Sequence, residues 1–302
     1  MRFVFLCRDG GLFSVGRLIE CARARGHVAE TVDPYECLLT LEAGRPLLLY
    51  RGRPLGAVSC ALPRLGANLS EHSLAVVRQL ELMGVPTVNG SGPLALARDK
   101  LHTLQRLAGA GLPVVRTAFG PNPAFLAEAL RRVGGPPVVF KFRRGMQGVG
   151  VMVAESLRAA RALAEAMWAS QQDVLIEEFV ADSEGRDVRV LVVGGRIVGA
   201  MRRSAPAGDF RSNLHRGGQG EAVRLPRPHR ELALRAAELV GLEVAGVDLL
   251  ESRSGPKVLE LNASPGFEGL ERATGRDIAG AILRHAERRA RGGAPRRSGR
   301  PR

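Results

Sequence analysis

The order in which strand-like and helix-like stretches follow one another constrains the fold of this chain more than any other feature of its sequence. Over roughly the first third, short apolar runs alternate with amphipathic stretches. Residues 2–7 are a predicted strand, residues 14–26 a helix, and residues 27–33 a second strand. Strands that alternate with helices are typical of a parallel sheet with helices packed on its faces.

The same alternation continues to about residue 92. Residues 71–84 place Leu74, Val77 and Leu80 on one face of a helix, and residues 85–90 are a predicted strand. We therefore predict a Rossmann-like α/β domain over residues 1–92. The glycine pattern G-x-G-x-x-G is missing from this segment, so dinucleotide binding is not supported.

Hairpins replace the alternation in the second part of the chain. A helix is predicted for residues 93–109 and a strand for residues 112–120. Residues 187–203 predict a β-hairpin, because two β-rich runs flank a pair of glycines. Residues 244–263 predict a second antiparallel pair. This part of the chain is accordingly expected to be α+β.

Three oxygen-bearing side chains interrupt the apolar pattern of that last strand pair. Glu260 and Asn262 are two residues apart, so they point to the same face of their strand. If the two strands pair, Asp248 of the first strand converges with them. Carboxylate and amide oxygens without His or Cys suit Mg²⁺ or Mn²⁺ rather than zinc. Solvated polar residues on an edge strand explain the three residues equally well when they are taken alone.

Lysine is rare in this chain, which makes its positions informative. Only Lys100, Lys141 and Lys257 stand among 44 basic residues, and the others are arginines. Lys141 ends an apolar strand and precedes a glycine-rich turn in "KFRRGMQGVG". Glycines allow backbone N–H groups to close over phosphates, although this is not a Walker A loop and an ordinary turn is as good an account. Lys100 lies in a predicted helix, where an exposed lysine is the simpler alternative.

Two further polar stretches could contact a nucleotide. "LIEEFV" puts Glu177 and Glu178 at a strand end, where backbone groups can meet an adenine edge while a carboxylate takes a ribose hydroxyl. "MRRSAPAGDFRSNLHRGG" gathers arginines, including Arg203 and Arg211, around Asn213. Arginine clamps carboxylates and phosphates in a planar fork. The alternatives are a strand end frayed into water and nonspecific surface charge.

In this order the five features resemble the ATP-grasp superfamily. The segments "RDGGLFS", "ARDKL", "GMQGVGV", "GDFRSNLHRGG", "VAGVDLL" and "ELNASPGFEGLE" are together similar to the RimK family of ATP-dependent glutamate ligases. The similarity runs from about residue 1 to residue 288. It implies an ATP-grasp domain of two small lobes over residues 93–288, with a lid lobe at about residues 113–178 and ATP between two sheets.

The resemblance also implies a role for each matching residue. The implied nucleotide contacts are Lys100, Lys141, Gln147, Gly148, Glu178, Phe179, Asp187, Arg211, Ser212 and Asn213. The implied ligands of two Mg²⁺ or Mn²⁺ ions are Asp248, Glu260 and Asn262, and the implied catalytic residues are Arg203, Arg211 and Asn213. Two positions depart from the family: an acidic residue is usual near Arg144, and a neutral amide is expected where Glu177 stands.

By the same resemblance, the enzyme adds L-glutamate to the C-terminus of ribosomal protein S-six of the small subunit. The reaction passes through an acyl phosphate and releases ADP and phosphate, and the protein is a homotetramer. The same chemistry on another acceptor, an amino-acid carrier protein or oligo-glutamate, is the nearest alternative. The shared motifs do not separate these acceptors, although "GDFRSNLHRGG" favours the first.

The formal net charge of +14 suggests a rival of another class, a non-catalytic ribosome-binding or RNA-binding protein. RNA-stacking aromatic residues are sparse, at 4% of the chain, and the phosphate-binding and metal-binding motifs are intact, which argues against it. Residues 289–302 are a predicted disordered basic tail that could contact RNA, although a merely solvated tail is the simpler account.

The remaining composition indicates a cytoplasmic protein. No apolar run approaches the roughly 18 residues of a membrane-spanning helix, and the apolar stretch at the N-terminus is too short for a signal peptide. The four cysteines show no C-x-x-C spacing, so we expect buried free thiols rather than a zinc site or disulfides.

Overall fold

The computed structural model describes residues 1–42, 44–120, 122–145, 150–206, 212 and 217–292. Within these residues the chain forms four β-sheets and nine α-helices. The sheets have the strand orders β2-β1-β6, β3-β4-β5, β7-β10-β8-β9 and β13-β12-β11-β14-β15. The mixture of one parallel sheet with three antiparallel ones confirms the predicted change from α/β to α+β architecture.

The parallel sheet is the one that the alternating pattern predicts. Its central strand is β1 (Arg2–Leu6), which pairs with β2 (Val28–Val32) and β6 (Cys60–Pro63). The helices of this region are α1 (Phe13–Ala24) and α2 (Glu71–Leu82). Helix α2 buries the predicted apolar face, and Ser70 caps its N-terminus by accepting a hydrogen bond from Ser73 N.

Two features of this region differ from the sequence-based expectation. An antiparallel sheet of β3 (Cys37–Glu42), β4 (Arg45–Tyr50) and β5 (Arg53–Pro54) precedes β6. The predicted strand at residues 85–90 is wrong, because only an isolated bridge joins Thr87 to Ala61. Pro86 explains the short pairing, since a proline has no N–H to donate to a ladder.

The predicted helix over residues 93–109 is two helices. They are α3 (Ser91–Arg98) and α4 (Lys100–Gly109), and Asp99 between them is extended, with φ −99° and ψ 103°. The Asp99 carboxylate accepts a hydrogen bond from His102 N at 3.1 Å, so it caps α4. The break puts Lys100 in the first turn of α4.

The third sheet belongs to a small lobe with its own core. It consists of β7 (Thr117–Phe119), β8 (Val138–Phe142), β9 (Val151–Ala154) and β10 (Val174–Glu178), and it packs on α5 (Leu126–Val133) and α6 (Leu157–Ala169). The predicted strand at residues 112–120 is shorter than expected, because residues 113–115 pair with Val258 of another sheet instead. That pairing ties the small lobe to the rest of the chain.

The five-stranded sheet contains both predicted hairpins. Its strands are β11 (Arg186–Val193), β12 (Arg196–Ser204), β13 (Gln219–Ala222), β14 (Val244–Ser252) and β15 (Gly255–Asn262). Helices α7 (Arg227–Val240), α8 (Glu268–Thr274) and α9 (Ile278–Gly292) complete this region. Helix α9 extends four residues into the predicted tail at residues 289–302, and residues 293–302 lie outside the described part.

Two apolar cores are shared between the parallel sheet and the five-stranded sheet. Phe3 and Phe5 of β1 pack in the same cluster as Leu191 of β11, whereas Val4 of β1 packs in the cluster that contains Val190. Alternate residues of one strand thus enter opposite cores, as the two-residue period of a strand requires.

The cysteines follow their prediction. Cys7, Cys37 and Cys60 are buried free thiols and Cys21 is half-buried, and burial raises the pKa of Cys60 to about 12. Within the described residues, no helix has the length and apolar character needed to cross a membrane.

Candidate active site

The register of the five-stranded sheet brings four of the predicted site residues onto neighbouring strands. Asp248 of β14 lies directly opposite Arg189 of β11 on one side and opposite Glu260 of β15 on the other. Arg203 of β12 lies opposite Asp187 of β11. Directly paired residues share a face of a sheet, so the side chains of all five converge on one surface.

Asp248 is the centre of an ionic network on that face. Its carboxylate is fully buried and accepts hydrogen bonds from Arg189 Nε and Nη2 at 2.7 and 2.5 Å. Arg203 Nη2 donates to the same carboxylate at 2.8 Å. Arg203 also holds Asp187 in a fork of two 2.6 Å bonds, and Ser212 Oγ donates to Asp187 at 2.5 Å. The guanidinium groups of the buried Arg203 and the half-buried Arg189 therefore balance two buried carboxylates.

The network separates the two carboxylates in acidity. Burial alone would raise the pKa of Asp248, but Arg189 and Arg203 outweigh it and hold that pKa at about 2. Burial raises the pKa of Asp187, and the charge of Asp248 adds to this rise while Arg203 opposes it. Asp248 is therefore the more acidic carboxylate of the pair.

The donor set on this face fits a divalent cation. A carboxylate offers about four lone-pair sites, and the hydrogen bonds of Asp248 use one on Oδ1 and two on Oδ2. Oδ1 keeps one site beside the half-buried Glu260. Asn262 adds an amide oxygen, which accepts a hydrogen bond from Ser264 N at 2.9 Å. No cluster of three or more His, Cys, Asp or Glu side chains suitable for a metal ion occurs in the described part of the chain.

Lys141 lies in the small lobe and is already paired. Its Nζ is 2.6 Å from a carboxylate oxygen of Glu177, and both side chains are buried. Glu177 is the residue that departs from the neutral amide expected by family resemblance. The departure thus neutralises, within the lobe, the lysine that is predicted to contact phosphates.

Glu178 joins the small lobe to the five-stranded sheet. Its carboxylate accepts hydrogen bonds from Lys257 Nζ at 2.6 Å and from Arg116 N and Nε, both at 2.8 Å. Burial would raise the pKa of Glu178, but these hydrogen bonds hold it below its usual range. A cleft of about 270 Å³ lies beside it, lined by residues that include Phe179 and Arg253.

Lys100 lies next to the glycine-rich segment. Its Nζ donates to the carbonyl of Gly145, where the described residues before the turn end. Arg143 of the basic "FRR" stretch binds Asp99 at 2.6–3.0 Å, which fixes the start of α4 and hence Lys100. Where the chain is again described, Gly150 has φ +72°, and a Cβ there would lie 1.9 Å from the Phe142 ring, so only glycine fits.

Four predicted site residues lie outside the described residues: Gln147, Gly148, Arg211 and Asn213. Sequence reasoning assigned no role to Arg189, Lys257 or Arg116, which the structure places in direct contact with predicted site residues. Arg189 carried a usable signal, because it stands two residues after Asp187 on an otherwise apolar strand. Lys257 was singled out by rarity alone, and its partner lies 79 residues away in the chain.

Two family models together match nearly the whole chain. The RimK PreATP-grasp domain matches residues 1–94, and the RimK-like ATP-grasp domain matches residues 97–286. The second match contains all residues of the predicted site, including the four that lie outside the described residues.

Curated relatives are similar over the same extent. A protein of Thioalkalivibrio sulfidiphilus named "Probable alpha-L-glutamate ligase" is 45% identical over 96% of this chain and 97% of its own. A protein of Teredinibacter turnerae with the same name is 43% identical over 96% and 97%.

Solved structures share the fold. A RimK domain ATP-grasp protein of Sphaerobacter thermophilus is 26% identical, with a TM-score of 0.73 over 95% of this chain and 99% of that one. The ATP-grasp ligase PsnB, solved with a minimal precursor, is 24% identical, with a TM-score of 0.74 over 95% and 98%. The chain therefore belongs to the RimK family of ATP-grasp enzymes, which are carboxylate–amine ligases.

Proposed function

We propose that this protein is an ATP-dependent ligase that adds L-glutamate to the C-terminal carboxylate of ribosomal protein S-six. The observation that carries the proposal is the face built by Asp248, Glu260 and Asn262 between two guanidinium groups. The similarity to proteins named alpha-L-glutamate ligases supports the choice of amino acid. The acceptor rests on "GDFRSNLHRGG", most of which lies outside the described residues.

In this proposal the small lobe and the five-stranded sheet bind ATP between them. Lys100 and Lys141 contact the phosphates, together with Gln147, Gly148, Arg211 and Asn213. Glu178 and Phe179 contact the adenosine, Glu178 through its backbone because its carboxylate is already bound by Lys257 and Arg116. Asp187 and Ser212 complete the set, and their mutual hydrogen bond holds Ser212 against β11.

Asp248, Glu260 and Asn262 would hold two Mg²⁺ or Mn²⁺ ions. Ions held there would supply positive charge to the phosphate oxygens of the nucleotide. Arg203, a proposed catalytic residue, would act from the protein side by holding Asp248 in place, since its guanidinium binds both Asp187 and Asp248. The charge in the site is thus arranged before substrates bind, which is the arrangement that stabilises a developing anion.

The reaction then proceeds by two transfers. An oxygen of the acceptor carboxylate bonds to the γ-phosphorus of ATP, the bond from phosphorus to the ADP oxygen breaks, and an acyl phosphate results. The amine of glutamate next bonds to the acyl carbon, and phosphate leaves. Of the three protons of the starting ammonium group, one stays on the amide, one leaves on phosphate and one goes to solvent.

Intact-mass spectrometry of small-subunit ribosomal proteins tests the whole proposal. The proteins are incubated with enzyme, ATP, Mg²⁺ and glutamate, and Asp248→Asn serves as the inactive control. We expect S-six alone to gain mass in steps of one glutamyl residue. ADP release without a mass change would move the proposal to an amino-acid carrier protein or oligo-glutamate, and the absence of both would favour a non-catalytic ribosome-binding protein.

The resemblance further suggests a cytoplasmic homotetramer. Light scattering of the purified full chain tests the oligomeric state, and a mass of one subunit would refute it.

A further inference from the structure

Arg64 is a buried arginine outside the site described above. It follows β6 at the carboxyl end of the parallel sheet, and its backbone N–H donates to Leu6 O of β1 at 2.8 Å. Only 6% of the residue is exposed. The carboxyl ends of parallel strands in an open α/β sheet are where such sheets commonly bind ligands.

Most of its hydrogen-bonding capacity is unused. Arginine has five N–H groups. Arg64 Nη2 donates to Pro265 O at 2.6 Å and to Ser14 Oγ at 3.3 Å. Among the described residues, the buried Nε has no hydrogen-bond partner and Nη1 makes no hydrogen bond. A buried polar group without a partner is rare enough in native proteins to need an explanation.

Its charge is not balanced either. Neither Asp nor Glu among the described residues forms an ion pair with Arg64, and its close aromatic neighbour is Phe267, with the ring centroid 5.9 Å from the guanidinium carbon. Burial lowers the pKa of Arg64 to about 10, so the side chain is still a cation at neutral pH. An uncompensated buried charge is costly unless something of opposite charge is bound to it.

The position of Arg64 relative to the face that carries Asp248, Glu260 and Asn262 indicates what kind of anion it binds. Pro265, which accepts the shortest hydrogen bond from Arg64, stands three residues after Asn262. Ser264, between the two, donates from Oγ to Pro63 O at 3.4 Å. Arg64 thus contacts the segment that leaves the face on which carboxylate activation is proposed. Each substrate of that reaction, amino acid and acceptor, carries a carboxylate.

We propose that Arg64 binds a substrate carboxylate at the junction of the parallel sheet and residues 263–267. The proposal rests on the ligase function proposed above. The carboxylate belongs either to L-glutamate or to the acceptor terminus, since both present the same planar pair of oxygens to a guanidinium fork.

Isothermal titration with the full-length protein, Mg²⁺ and a non-hydrolysable ATP analogue tests this role. The probes are L-glutamate, a peptide that ends in glutamate with a free carboxylate, and the same peptide amidated at its end. Arg64→Met is expected to weaken one free-carboxylate probe about 30-fold or more and to leave the amidated peptide and the nucleotide unchanged. The probe that weakens identifies the source of the carboxylate.

Two further variants distinguish a role of Arg64 in binding substrate from a role in holding residues 263–267 in place. Ser264→Ala removes the other contact of the same segment with β6 but keeps the guanidinium, and it is expected to bind both probes as the wild type does. Arg64→Lys keeps the buried charge, so it is expected to fold even if Arg64→Met does not, and to lose part of the affinity because it lacks the fork.

Three results would overturn the role of Arg64. They are equal binding of both carboxylate probes by Arg64→Met and the wild type, no binding of either probe to the wild type, or the same loss in Ser264→Ala. The titrations need no turnover. A wild-type enzyme that binds a carboxylate through Arg64 but transfers no glutamate would therefore refute the proposed function and leave this inference standing.

Discussion

At the scale of the residue, the ion pair between Lys141 and Glu177 departs from the neutral amide that the family resemblance implies at position 177. A lysine binds phosphate through its positive charge. The Glu177 carboxylate lies 2.6 Å from the Lys141 ammonium group and already balances part of that charge. Both groups are buried, so their attraction is weakly screened by water. In the proposed site, nucleotide binding therefore competes with an ion pair inside the lobe.

Replacing Glu177 by glutamine should strengthen ATP binding. The amide keeps the shape of the side chain but removes the competing charge, so we expect the KM for ATP to fall by roughly 3-fold to 10-fold, equivalent to about 1 kcal/mol. Steady-state kinetics with varied ATP measures it. Glu165→Gln, on the exposed face of α6, is the matched control in the same lobe. A KM that rises in Glu177→Gln would mean that the carboxylate positions Lys141 instead of competing for it.

The sequence predicted residues of this site when their relation was local. Glu260 and Asn262 share a face because the strand period is two, and their pairing with Asp248 follows from a short turn. It did not predict that Arg189 and Arg203 bind Asp248, because that contact depends on the register of strands 45–59 residues apart. Charged pairs at such separations leave no periodic signal.

At the scale of the element, helix α9 is fixed to α1 by one carboxylate. Glu287 accepts hydrogen bonds from Arg25 Nε and Nη2 at 2.7 and 2.8 Å and is 2.8 Å from His27 Nε2. The hydrogen bonds from Arg25, with that from His27, lower the pKa of Glu287 to about 2. The side chain lies beside the Arg25 guanidinium and the His27 imidazole and is 8% exposed.

Glu287→Gln should lower the free energy of unfolding at pH 7 by about 1–3 kcal/mol, the range for hydrogen bonds to a charged group. The depressed pKa means that this stabilisation is complete above pH 4.5 and is lost as the pH falls towards 2. Urea unfolding of both proteins between pH 7 and pH 3 measures the difference. Glu231→Gln, which removes an exposed pair with Arg227 on α7, should change stability by less than about 0.5 kcal/mol. An unfolding difference that stayed constant with pH would contradict the assignment.

Element boundaries were predictable only where local chemistry set them. The hairpin of β11 and β12 turns at Gly194 and Gly195, both with positive φ, as the paired glycines indicated. The break at Asp99 was missed, because its capping role depends on local geometry that an uninterrupted helical pattern concealed. The sheet of β3 to β5 was missed because its strands are half-exposed and lack a strong apolar alternation.

At the scale of the whole molecule, Lys257 holds the small lobe against the five-stranded sheet through Glu178, whose carboxylate also binds Arg116. Arg116 precedes β7, and Lys257 lies on β15, so one carboxylate bridges two sheets. The backbone pairing of residues 113–115 with Val258 follows the same line. Because these contacts lie along one line, the small lobe can rotate about that line relative to the five-stranded sheet.

Lys257→Met should weaken the attachment of the small lobe to the five-stranded sheet. We expect faster amide hydrogen exchange in β7 and β10, because Glu178 loses one of its two cationic partners, and a KM for ATP raised by about 5-fold to 30-fold, or about 1–2 kcal/mol. Exchange measured by mass spectrometry checks the first effect, and added nucleotide should restore the protection. Steady-state kinetics with varied ATP measures the KM. Lys257→Arg is the control that retains the charge. Unchanged exchange in β10 would show that the backbone pairing alone fastens the lobe.

The two cores shared by β1 and β11 bear on whether this enzyme can be divided into fragments that fold separately. The family models divide the chain between residues 94 and 97, yet Phe3 and Phe5 face Leu191 across that boundary. Cutting there would expose apolar surface on both fragments, so neither half is a transplantable module. Chimaeras that exchange the first 94 residues with those of a relative will need the facing residues of β11 and α9 exchanged with them. We accordingly expect the first 94 residues and the five-stranded sheet to change together in evolution, as one packed unit.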